Sequence, residues 1–225
     1  MTAAGVHQAA PGAASAPAAR LGPAWLRLAW LYLVSRRAPV ALALLAGLGA
    51  LLWVALHWHW NVAGGPAAQM MFPLVTEAGA AAVIAATTYG PFGEPERATG
   101  RWLPYLRLGA AVALTAAAIG ALALGSTGGG LPGGFATMAR NVAGMTGVGL
   151  LCAIVLGGML AWTGPVAYWM LAEAALANGL TTPWIWPARP PADRGAAICA
   201  YLVFAAGLAL ITVRGVRESA RDRTT

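Results

Sequence analysis

Along this chain the apolar residues gather into blocks of about twenty, separated by short polar gaps, and this pattern constrains the fold more than any other feature. A helix rises about 1.5 Å per residue, so about twenty apolar residues match a hydrocarbon core about 30 Å thick. Only 9% of the 225 residues are charged, against about 25% in soluble domains. So little charge cannot solvate a globular surface. The expected fold is all-α and embedded in a bilayer.

The blocks predict six transmembrane helices, at about 39–56, 67–88, 106–124, 142–162, 165–180 and 196–213. The fourth and fifth come from one apolar stretch, Asn141 to Gly179. It is long enough for two crossings, with Thr163-Gly164-Pro165 as the turn between them. Ahead of span one, Trp25 to Val34 is too short to cross and carries Trp25, Arg27, Trp30 and Tyr32. It predicts an interfacial helix over 24–36, which could instead extend span one. Residues 1–22 read as a disordered tail, lacking the basic leader and short apolar core of a secretory signal. Residues 218–225 read as a basic C-terminal tail, leaving 23–217 as the transmembrane domain.

Positive residues are retained on the cytoplasmic side, so the arginines of the gaps orient the chain. One face collects Arg20, Arg27, Arg36, Arg37, Arg97, Arg101, Arg107, Arg214, Arg217, Arg221 and Arg223, whereas the other has Arg140, Arg189 and Arg194. Both termini are therefore expected in the cytoplasm of a bacterial cell. A net charge of +7 could also serve a nucleic acid, but these arginines form no basic stripe interleaved with aromatics.

No catalytic pattern is present. GSTGGGLPGG is glycine-rich, yet a P-loop requires GxxxxGK[ST], and the chain contains no lysine. His57 and His59 lack the third donor that a zinc site needs and suit an aromatic belt better. Cys152 and Cys199 lie inside apolar blocks, where cysteine packs as a small hydrophobe. Two carboxylates also fall within spans, Glu77 in the second and Glu173 in the fifth. Charge at that depth costs about 3 kcal/mol, so such residues usually face the bundle interior or a water-filled path. They are candidate translocation-pathway residues, or else neutral packing groups.

The loop after span two, PFGEPERATGRWLPYLR, has a turn at Gly90, Pro91, Gly93 and Pro95, then Glu96, Arg97 and Arg101 before Pro104. Its size suits a docking knob, or a solvated loop that only fixes topology. With the interfacial helix, the six spans and the broken outer segment Thr181 to Arg194, this order of parts resembles the membrane subunits of ABC-2 type transporters. The PFGEPERATGRWLPYLR stretch is similar to actinobacterial permeases of that class. The resemblance implies a coupling loop at Gly93, Glu94, Glu96, Arg97 and Arg101 and an outer gate region at Trp184 and Trp186. It also implies a permease driven by a separate P-loop ATPase that holds ATP and magnesium, with no cofactor here and a second copy or related permease as partner. The rival expectations are a secondary transporter or channel using Glu77 and Glu173, and a non-transporting membrane scaffold.

Overall fold

The computed structural model describes residues 34, 37–58, 66–88, 103–131, 133–180 and 182–214. Among the described residues six α-helices follow in order: α1 (Ala38–His57), α2 (Pro66–Ala86), α3 (Leu103–Gly125), α4 (Gly134–Val155), α5 (Thr163–Ala177) and α6 (Arg194–Arg214). Single 3-10 turns at Gly158–Leu160 and Trp186–Ala188 precede α5 and α6, and no strand occurs among the described residues. By length and composition α1, α3, α4 and α6 can each cross a membrane, with mean hydropathies of 2.3, 2.0, 1.5 and 2.4. The chain is a multi-pass membrane protein. The interfacial helix expected over 24–36, the knob residues Gly93, Glu94, Glu96, Arg97 and Arg101, and both tails lie outside the described residues, apart from the helical Val34.

Helix starts follow from local chemistry. Arg37 adopts a left-handed conformation, φ 56°, which turns the chain into α1, and Pro39 sits in the first turn, where no N–H is needed. Proline also explains how the middle of the chain departs from expectation. Thr163-Gly164-Pro165 is not the inter-helix turn but the first turn of α5, where a missing N–H again costs nothing. The reversal comes earlier, at Leu156 to Trp162, where Gly157 takes a φ of 92°. So α4 occupies Gly134–Val155 rather than 142–162, and α5 has 15 residues. At about 1.5 Å per residue α5 falls short of a full crossing.

In the bundle α4 is central, packing against α2, α3, α5 and α6, while α1 packs on α2 and α3. Leu45, Leu52, Ile84, Leu122 and Val142 form the core among α1 to α4. A second cluster joins Leu74 and Ala78 of α2, Met145 of α4, Ala172 of α5 and Ile185 of the segment before α6. At the α4–α6 crossing the backbones meet closely. A Cβ on Gly147 would lie 2.6 Å from Phe204 Cα, and one on Gly207 would lie 2.8 Å from the Gly147 carbonyl oxygen. Lipid tails are as apolar as leucine, so such helices associate by close packing, and small residues permit it.

Candidate functional site

On α2, Glu77 sits on the buried face with Leu74, Ala78 and Ala81 and is only 4% exposed. Pro73, one turn earlier, lies inside the helix, and the Thr76 hydroxyl donates to its carbonyl at 2.8 Å. Opposite, α4 brings Asn141, whose Nδ2 donates to Glu77 Oε2 at 2.9 Å. The preceding residue, Arg140, is 2% exposed. Successive helical residues point about 100° apart, so Asn141 meets α2 while Arg140 turns to the segment between α5 and α6.

That segment folds into the bundle instead of running over its surface, with Ile185 and Trp186 each 2% exposed. Arg140 Nη2 donates to the Trp186 carbonyl at 2.7 Å and to the Arg189 carbonyl at 3.5 Å, and Nη1 donates to the Pro190 carbonyl at 3.3 Å. Its Nε reaches Asn141 Oδ1 at 3.4 Å, which closes a chain from Glu77 through Asn141 and Arg140 to the segment. A buried guanidinium and a buried carboxyl group thus share a polar link, the kind of pairing that makes ionisable side chains tolerable at membrane depth.

Aromatic contacts complete the site. Tyr168 of α5 stacks on Trp186 with ring centroids 4.5 Å apart and donates its hydroxyl to the Trp184 carbonyl at 2.8 Å. Trp186 lies directly on α4, because a Cβ at Gly144 would come within 2.6 Å of its ring. Its buried indole N–H and the Thr146 hydroxyl have no hydrogen-bond partner among the described residues. At the rim, Arg189 pairs with Asp193, which also accepts from the Ala196 N–H at 3.0 Å and so caps α6. The Ala196 N–H first, and Arg189 next, hold the Asp193 carboxyl below the usual aspartate range.

The residues expected to act together are placed differently from one another. Glu77 enters the chain, whereas Glu173 is half-buried and accepts from Trp169 of its own helix at 3.2 Å. Trp186 is buried and Trp184 is exposed. The five knob residues lie outside the described stretch. Arg140, an arginine of the sparse face in the sequence reading, lies within α4 and is linked to Glu77 through Asn141. The signal was available: after Gly134 nothing interrupts a helix before Val142, so Arg140 and Asn141 belong to the helix that follows. Among the described residues no three His, Cys, Asp or Glu side chains gather as a metal site. No family model, curated protein or solved structure matches the chain.

Proposed function

We propose that this chain is the permease subunit of an ATP-driven exporter of ABC-2 type in a bacterial cell membrane. It acts with a second copy or a related permease and with a separate P-loop ATPase that holds ATP and magnesium. The observation that carries the reading is the segment before α6, folded between α4, α5 and α6 and fixed on a buried arginine. Irregular backbone at such depth is tolerated where protein covers it or a cavity is lined, as in transport proteins. With Arg140 assigned to α4, the sparse face keeps only Arg189 and Arg194, which strengthens the arginine asymmetry. Six crossings put the 89–102 loop and both termini in the cytoplasm. Closure of the ATPases then pushes Glu94, Glu96, Arg97 and Arg101 and tilts the bundle between inward and outward access.

A purified complex tests this. An ATPase subunit is expected to travel with the chain, and joint replacement of Glu96, Arg97 and Arg101 by alanine is expected to uncouple hydrolysis from export in a folded protein. Unchanged coupling in that variant rejects the docking role. One observation favours a secondary transporter or channel instead, namely Glu77 buried in the bundle and linked through Asn141 to Arg140. Against it, Glu173 is bonded on its own helix, not to that chain. Transport that persists without any ATPase would favour this second reading.

A further inference from the structure

We infer that Arg140 is the positioning residue that keeps the segment Thr182–Asp193 folded into the bundle. The Glu77–Asn141 bond, in turn, makes that hold depend on where α2 stands against α4. The role in transport rests on the permease reading, but the hold itself is a property of this chain alone.

The segment's turns give the carbonyls of Thr182, Ile185, Trp186 and Pro190 donors from its own backbone, and side chains of the bundle add further bonds to its carbonyls. Four of them accept from just two side chains: those of Trp186, Arg189 and Pro190 from Arg140, and that of Trp184 from Tyr168. The folded-in position also leaves the Trp186 indole N–H buried without a partner among the described residues, which favours release unless something opposes it. Arg140 opposes it. Its charge-assisted bond to the Trp186 carbonyl, at 2.7 Å, is the shortest of the set. The link to α2 is narrower, the single 2.9 Å bond from Asn141 to Glu77. A slide of α2 by one turn, about 5.4 Å, takes that bond beyond hydrogen-bonding distance. Asn141 then no longer holds Arg140 Nε, and the segment has two positions, clamped and released. The cytoplasmic end of α2 in the permease reading leads into the 89–102 loop, so the same slide would carry a signal from one face to the other.

Cysteine accessibility tests the clamp. Cys152 and Cys199 are replaced by alanine, a cysteine is placed at Ile185, and its reaction with an impermeant maleimide is followed in membranes open on both faces. Ile185→Cys is expected to be protected in the otherwise unaltered chain and to react about tenfold faster or more with Arg140→Gln, as local opening predicts. Arg140→Lys, which keeps the charge but lacks the planar fork, is expected to give an intermediate rate. Leu122→Cys, from the α1–α4 core, is expected to stay protected throughout. Protection of Ile185→Cys in both Arg140 variants overturns the clamp, as does full reactivity in the unaltered background. Should Arg140→Gln also expose Leu122→Cys, the lysine variant decides, because a rate equal to the parent's again overturns the proposal. No ATPase takes part, so a failed clamp leaves the permease reading standing, and a missing ATPase leaves the clamp standing.

Discussion

Asn141 is the residue through which α2 and α4 communicate, and it is uncharged. Its amide gives one hydrogen to Glu77 and its oxygen faces Arg140 Nε, so it bridges the two side chains. Asn141→Leu keeps the approximate volume and leaves the Glu77 carboxylate without its donor. The expected cost is about 1–3 kcal/mol, measured by denaturant titration in micelles. Removing Arg140 takes the donor from three segment carbonyls and from Asn141 Oδ1, and Arg140→Gln is expected to cost more than Asn141→Leu in the same titration. Asp193 differs because it lies outside the membrane-spanning helices. Its folded pKa is below the unfolded one, so its contribution is full above the ordinary aspartate value, near about 4, and fades as pH falls through the depressed value. Asp193→Ala is expected to lower the melting temperature at neutral pH and to flatten that acid-side decline. An unchanged acid-side profile would contradict the assignment.

Among the elements, α4 and α6 depend on contact between their backbones. Gly147→Ala drives a methyl group to within 2.6 Å of the Phe204 backbone, and such overpacking is expected to cost about 1–3 kcal/mol. Ala174→Leu, on an exposed face of α5, is expected to be neutral in the same assay. The elements also divide by how legible they were. The helices α1, α2, α3 and α6 each coincide with one apolar block bounded by arginine, proline or tryptophan. In contrast, α4 and α5 share a block, and a Gly-Pro pair near its middle resembles a turn until proline's tolerance of a first helical turn is weighed. The Gly157-Gly158 pair is where the chain reverses. The same displacement hid half of the site. Glu77 is legible as an isolated carboxyl in an apolar helix, but Arg140 and Asn141 lie in the second turn of α4, ahead of the apolar block that marks it in the sequence. The burial of Trp186 depends on Gly144 and Tyr168 from other helices, a tertiary fact that no local pattern contains.

At the scale of the whole molecule, α5 is the critical element. With 15 residues it spans about 22 Å as a helix, and the folded-in segment after it must cover the remaining depth if the chain is to cross six times. The reversal before it exposes Leu156, Met159, Leu160 and Trp162 and carries no charge, which suits an interface with lipid tails and headgroups. Under the proposed six crossings the 89–102 loop and the C-terminal tail would share one face, the condition for an ATPase to grip both. Single cysteines in place of Arg97 and Arg221, probed with an impermeant reagent in sealed vesicles of known orientation, measure this directly. The account predicts that both react from the same face; reaction from opposite faces would contradict it.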